Sequence, residues 1–414
     1  MMDKKEIQIE IINTRTENAK TFDIGNGKRR AEICIGALHY KDDYKDEKEQ
    51  FKDIDLTWVN NKVTKAPYIL ERVGNKINVL DKKTGKTSSI ELDSIGEEKL
   101  TAEKSLTDSK TVEIVKDVDV EIIATPDSIR YQTIIKNEKA LKDLKYKITG
   151  DIPISYSAVD DDGDIVPLIT SLSKEGILTE SLDTKSFTSE RAEKTAIKYP
   201  IKIDPTLTIQ GSGADTSIYA SATTTNYGSE TYIRIWSSFN DMRGLVLLPL
   251  SSLPAGAVVN SATFSMYYYQ KGLNDPVNKT ITADKIRRAD WVEGQVTWNI
   301  YKTGSNWGTA GCSNTTTDVD TSKTATSTVP SDINKWVEFD VKSIIEDAVT
   351  NSVDFNIRMG TSGGNSNASA YFYSKEYSTD TSLRPKLVIE YASAASFIPG
   401  IMQHNFIPSF LGGR

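Results

Sequence analysis

Short runs of alternating β-branched and polar residues, cut by turn clusters, recur along this chain, and a sheet is the structure such runs build. The run TVEIVKDVDVEIIAT at 111–125 puts Val112, Ile114, Val118, Val120 and Ile122 at alternate positions. A period of two places them all on one face of a strand. LKYKIT at 144–149 alternates in the same way, and TYIRIW, RGLVLLPL, ATFSMYYYQ, DFNIRM, AYFYS and PKLVIEY are further short runs in the second half. One stretch has helical spacing instead: Ile344, Ile345, Ala348 and Val349, after the strand WVEFDV. The expectation is an all-β protein of antiparallel sandwiches.

A chain of 414 residues is too long for one hydrophobic core, because single cores stop growing beyond roughly 250–300 residues. The charge distribution suggests where it divides. Residues 1–205 hold 34 Lys+Arg and 39 Asp+Glu, whereas residues 206–414 hold 16 and 18. Five of the six tryptophans (Trp236, Trp291, Trp298, Trp307 and Trp336) lie in the second part. The break falls at Asp204-Pro205, ahead of Gly211-Ser212-Gly213, the residues of a short joint. We therefore expect two antiparallel β-sandwich domains, 1–205 and 206–392, the C-terminal one jelly-roll-like. Residues 393–414 carry a single charged side chain, Arg414, and the tripeptide Phe-Ile-Pro twice. Proline bars a continuous helix or a central strand there, so this segment reads as an extended apolar tail.

Composition removes several kinds of chemistry. A net charge of -7 argues against nucleic acid, whose phosphates need clustered Lys and Arg. Cys34 and Cys312 cannot make a disulfide framework or a thiolate zinc site. A Ser-His-Asp triad, a Cys-His dyad or a multi-histidine metal site would each have to use His39 or His404. The N-terminus MMDKKEIQIEIINTR lacks the apolar stretch of a secretory signal, and no segment has the roughly 18 apolar residues of a membrane helix. No membrane association, cofactor or metal is expected.

Several stretches of residues 206–392 then follow a known order: DTSIYASATTTNYGSETYIRI, RGLVLLPLSSLPAGAVVNSATFSMYYY, RRADWVEGQVTWNIYKTGSNWGTAGC and AYFYSKEYSTDTSLRPKLVIEY. In order and spacing they resemble DNRLRE-type domains, β-sandwich modules of bacterial and archaeal surface proteins similar to a carbohydrate-binding module family. The chain departs from that family in its naming segment, which reads FNDMRGLVLLPL here. In the first part, TFDIGNGKRR, ALHYKDDY, FKDIDLTW and KYPIKIDPT resemble the leading region of wall-associated bacterial surface proteins and of phage structural proteins.

The resemblance implies a polysaccharide ligand, and flat side chains are the groups that stack on sugar rings. Arg234 and Trp236 share one strand face, and Tyr301 and Trp307 sit in the loop YKTGSNWGTAG. These four are the expected ligand-binding residues. Trp291, Trp298 and Trp336 read as core, as do His39 and Cys34. Asp160–Asp164 departs from a calcium loop at Ile165 and Ser171 and reads as a hairpin turn. Asp290 and Glu293 form the carboxylate pair best placed for glycoside hydrolysis, although such pairs arise freely among 57 acidic residues.

The expected function is therefore a non-enzymatic structural or adhesion protein on the surface of a tailed-phage virion, a homo-oligomer that assembles with other virion or surface proteins. Phe397, Ile398, Phe406, Ile407 and Phe410 of the tail would dock on those neighbours. A bacterial cell-surface adhesin is the alternative, and a polysaccharide hydrolase or lyase the third.

Overall fold

The computed structural model of the protein describes residues 8–99, 111–161, 166–183, 196–209, 213–236, 241–272, 274–361, 368–377 and 379–392. The fold is almost entirely β, in several antiparallel sheets of a β-sandwich type. Among the described residues one α-helix stands out, Lys342–Asn351, which buries Ile344, Ile345 and Ala348, as the spacing predicts.

The alternating run at 111–125 becomes the strands Thr111–Val115 and Val118–Ala124, turning at Asp117 with φ 66°. Ser128–Ile135, Ile201–Thr208 and Ile154–Val159 complete this five-stranded sheet. A second sheet runs Leu168–Leu172, Ile177–Leu182, Leu144–Gly150, Thr87–Ile95, Lys76–Asp81, Tyr68–Val73 and Lys62–Val63. Val120, Ile122 and Ile129 of the first sheet share one core with Leu70, Ile77 and Ile90 of the second. Each such side chain contributes roughly 1.5–3 kcal/mol over its exposed state, which is what holds two half-apolar sheets face to face. One acid lies inside this core. Glu180 is 1% exposed with neither carboxylate oxygen hydrogen-bonded. Burial first, and the charge of Asp204 second, push it up to about 8, while the Tyr146 hydroxyl acts in the opposite direction.

The larger sheet curls around a second core. The strand Val258–Lys271 pairs with Lys335–Asp340 along one edge. It also pairs with Lys386–Ala392 over its first half and with Ser369–Tyr373 over its last residues. Both Lys335–Asp340 and Lys386–Ala392 pair with Thr263–Ser265, so they lie on opposite edges; by the overlap at Tyr268, Ser369–Tyr373 shares the edge of Lys386–Ala392. Those two segments are therefore one strand line, interrupted by the excursion 374–385. Beyond Ser369–Tyr373 come Tyr232–Trp236, Met242–Leu248, Phe355–Thr361, Thr280–Ile286 and Val319–Thr328, in that order. Their inward residues, among them Ile233, Val246, Phe264, Phe355, Phe372 and Ile389, fill the core.

Three expectations change here. The hairpin Ala19–Gly25/Lys28–Cys34 does not join the first sheets. Its second strand pairs with Lys386–Ala392 from Lys28↔Ala392 to Cys34↔Lys386, and Ala19, Ala31 and Ile33 enter the second core. Residues 9–34 thus add to the sheet of the second half, on the far side of the boundary expected for 1–205. The hairpin turns through Gly25, Asn26 and Gly27, all at positive φ (84°, 53° and 71°), a conformation that Gly and Asn adopt most readily. The boundary at Asp204-Pro205 falls inside Ile201–Thr208, whose Ile201, Ile203 and Leu207 are core. Pro205 sits opposite Tyr156, whereas no partner in Ser128–Ile135 is assigned to it, so a central strand tolerates its missing N–H. Finally, the runs flanking Asp160–Asp164 meet where the Val166 N–H donates to the Ala158 carbonyl at 2.9 Å, but they do not continue as a paired hairpin: Ile154–Val159 pairs with Ile201–Thr208 and Leu168–Leu172 with Ile177–Leu182. The chain crosses between sheets at that point. Asp160 is buried and accepts the Lys198 N–H at 3.0 Å, while residues 162–165 lie outside the described residues.

Candidate functional site

On the outer face of the curled sheet, strand alternation lines up a row of tyrosines. In Val258–Lys271 the side chains of Phe264, Met266 and Tyr268 point into the core, so Tyr267 and Tyr269 point out. In Ser369–Tyr373 the inward pair is Ala370 and Phe372, which turns Tyr371 and Tyr373 outward onto the same face. The register supplies the rest: Trp336 lies opposite Tyr267, and Tyr232 opposite Tyr373. Tyr373 is the hub. Its ring is parallel to Tyr269 at 4.2 Å, to Tyr267 at 5.9 Å and to Tyr377 at 3.5 Å. Trp336 meets Tyr267 edge-on at 5.2 Å, and Tyr232 meets Tyr371 at 5.2 Å. All are half-buried, so each presents part of its ring and sinks the remainder into its neighbours.

Cations frame this row. Lys386 Nζ stands 3.9 Å over the Trp336 ring. The excursion 374–385 is fixed from behind by Arg384, whose Nε donates to the Tyr377 carbonyl at 2.9 Å and whose guanidinium pairs with Asp127 at 3.5 Å. Burial, and then the neighbouring Tyr377, hold the Tyr373 phenol well above the usual range, so its hydroxyl stays neutral at any physiological pH. Such a surface offers apolar ring area beside neutral O–H donors and acceptors, which is what a sugar needs from a protein.

The four ligand residues expected from sequence are not brought together. Arg234 lies opposite Tyr371 on this face but is 1% exposed, with its guanidinium 5.0 Å from the Tyr371 ring centre. It supports that ring from below and offers no surface to a ligand. Trp236 pairs with Ser369 and with Met242, at the corner where the sheet turns; its side chain is outside the described part of the structure. Trp307 and Tyr301 lie in another layer. The loop around them covers the outer face of Met242–Leu248, where Leu245 and Leu247 point away from the main core. Trp307 is 4% exposed, donates Nε1–H to the Thr297 carbonyl at 3.0 Å and packs with Trp291, Ile218 and Leu245. A ring enclosed in this way has no face for a sugar, so Trp307 is packing. Tyr301 is half-buried beside it at 5.6 Å, under the Arg288 guanidinium at 4.3 Å.

That loop is pinned by an acid absent from the expected list. Asp318 is wholly buried and accepts N–H groups from Gly308 at 2.9 Å, Thr309 at 3.0 Å and Asn314 at 3.1 Å. Burial alone would raise it, but these bonds hold its carboxyl below the usual range. The assembly-tail residues Phe397, Ile398, Phe406, Ile407 and Phe410 lie outside the described residues. His39 is packed, its Nδ1–H donating to the Thr16 carbonyl at 2.7 Å.

Asp290 and Glu293 do not act as a pair. Asp290 is exposed and bound to Lys302 at 2.5 Å, whereas Glu293 turns inward to Lys375. There Asp215, Glu293 and Glu376 bring one carboxylate oxygen each within 4.8 Å of one another. The cluster gathers where the strand line breaks at 374–385, and Glu293 Oε1 accepts the Asp215 N–H at 2.7 Å.

A protein-family model described as "Disaggregatase related repeat domain" matches residues 215–389. No curated protein matches the chain. Residues 215–389 are thus similar to that repeat domain, and the match takes in the curled sheet and the tyrosine row but not the hairpin at 19–34.

Proposed function

We propose that the protein is a non-enzymatic adhesion protein of two sandwich domains, and that the second, jelly-roll-like one binds glycans along its tyrosine row. The observation that carries this reading is the row itself: Tyr267, Tyr269, Tyr371, Tyr373 and Trp336 gathered on one outward sheet face. A soluble surface has little reason to collect so much aromatic area unless something covers it. The DNRLRE-type order of motifs in residues 206–392 supports a carbohydrate as that something. The ligand residues shift accordingly, from the buried Trp307 and Arg234 to the tyrosines and Trp336.

Display on a tailed-phage virion is supported by the resemblance of the first part to phage structural proteins, and homo-oligomeric assembly by the apolar tail. The test is binding of the full chain to a panel of soluble polysaccharides by affinity electrophoresis. Retardation by at least one polysaccharide, lost in Tyr373→Ala, is the expected result. Retardation by none, or unchanged retardation in the variant, overturns the reading; so does depolymerisation of a bound polysaccharide, which would make the protein an enzyme.

A further inference from the structure

We propose that Asp215, Glu293 and Glu376 hold one divalent cation of the calcium class, at the junction between the two sandwiches. The site is built by three separate segments that the fold brings together. Asp215 opens the strand Ala214–Tyr219, Glu293 lies in the loop after Trp291, and Glu376 lies in the excursion between Ser369–Tyr373 and Lys386–Ala392. Their oxygens fall within 4.8 Å of one another. Two oxygens that each lie about 2.4 Å from a calcium ion are at most about 4.8 Å apart, a limit that every pair of the three meets.

The hydrogen bonds leave oxygens for it. Each Glu293 oxygen has one partner, Oε1 the Asp215 N–H and Oε2 Lys375 Nζ, and keeps a second lone pair. Asp215 Oδ2 takes the Lys375 N–H at 2.9 Å, which seats this carboxylate against the turn carrying Glu376. Its other oxygen, Oδ1, has no partner, although Asp215 is 1% exposed. Glu376 lies 3.5 Å from Lys375 Nζ through Oε1, and its Oε2 likewise has no partner. A buried carboxylate oxygen without a donor is costly, and two acids of this one cluster each carry such an oxygen, which a cation would satisfy.

Charge counting gives the valence. With the ligands deprotonated, as metal binding requires, Asp215, Glu293 and Glu376 supply three negative charges and Lys375 one positive, while the adjacent Asp127 and Arg384 cancel. The remainder is two negative charges, which one divalent ion neutralises. All-oxygen ligands of this kind suit a hard cation, with water completing the six to eight positions that calcium takes. Such an ion would tie the excursion 374–385 to both layers of the second sandwich. It would also fix the contact of Arg384 with Asp127, a residue of the first sandwich. Gly36 shows how close that contact is, because a Cβ there would lie 2.5 Å from Asp127 Oδ2 and 2.9 Å from Arg384 Nη1.

Calorimetric titration of the full, chelator-treated chain with CaCl2 tests this, alongside melting temperatures in CaCl2 and in EDTA. The expected result is one calcium per chain and a higher melting temperature in calcium. Glu376→Gln and Asp215→Asn should each weaken binding by more than about tenfold. If Asp215→Asn fails to fold, Glu376→Gln decides alone, because its Oε2 has no hydrogen bond to lose. Absence of calcium binding at millimolar concentration overturns the proposal, and so does binding undiminished in Glu376→Gln.

Discussion

Replacing Trp307 by alanine separates packing from recognition. The indole is 4% exposed and seals a small core of Ile218, Leu245, Ile286, Val296 and Cys312 beneath the loop. Truncating a buried tryptophan costs about 3–5 kcal/mol through lost burial and the cavity left behind. The Thr297 carbonyl also loses the Nε1–H bond made at 3.0 Å, for about 1 kcal/mol more. A loss of about 4–6 kcal/mol lowers the melting temperature of a unit this size by roughly 10–20 °C. Differential scanning calorimetry measures that shift, and affinity electrophoresis below the new transition measures what binding survives. The expected outcome is a much earlier transition with glycan binding intact while folded. A shift worth less than about 1 kcal/mol, or lost binding at unchanged stability, would refute this assignment and return Trp307 to the ligand surface.

Three further outcomes are expected. Because Glu180 keeps its proton to about pH 8 in the fold but loses it above an ordinary 4.5 when unfolded, its contribution is complete below pH 4.5. That contribution then falls by roughly 1.4 kcal/mol per pH unit up to the folded value; Glu180→Gln should flatten the stability profile between those limits, and an unchanged slope in chemical denaturation would contradict it. Proteolytic nicking in the joint after Ile209 should leave both fragments co-eluting in size-exclusion chromatography, since Lys28–Cys34 remains laddered to Lys386–Ala392; separate elution would show that ladder to be weak. Deleting residues 393–414 should leave melting temperature and circular dichroism unchanged but abolish self-association in light scattering; equal assembly without the tail would remove its docking role.

Much of the local structure was legible in the sequence because it depends on neighbours along the chain. Alternation at 111–125 became two strands with their turn at Asp117, and the spacing of Ile344, Ile345 and Ala348 became the helix. What failed was long-range. Nothing in TFDIGNGKRR states which sheet edge it will join, and its partner lies some 360 positions away, as the bond from Arg30 to Glu390 shows. The error over Trp307 had a readable signal. RGLVLLPL is apolar at both parities, with Val246 and Leu248 in the main core and Leu245 and Leu247 on the opposite face. A strand apolar on both faces is covered on both faces, and the tryptophan-bearing loop is its cover. The converse signal marks the tyrosine row: MYYYQ and AYFYS continue the alternation of their strands, so one tyrosine set is inward and the other must face out. The acidic cluster had no such signal, because Asp215, Glu293 and Glu376 meet only through the pairing of distant strands.

The measurement that bears most directly on the central claim is binding of a retained polysaccharide by the wild-type chain and by Tyr267→Ala, Tyr373→Ala and Trp336→Ala. Each variant is checked for folding by its melting temperature. Tyr373 is parallel to three other rings, so its removal opens the row at the centre. The account predicts the largest loss of affinity there, and smaller losses at Tyr267 and Trp336, all at melting temperatures within a few degrees of wild type. Full affinity in all three folded variants would contradict it and leave the tyrosine row without a ligand.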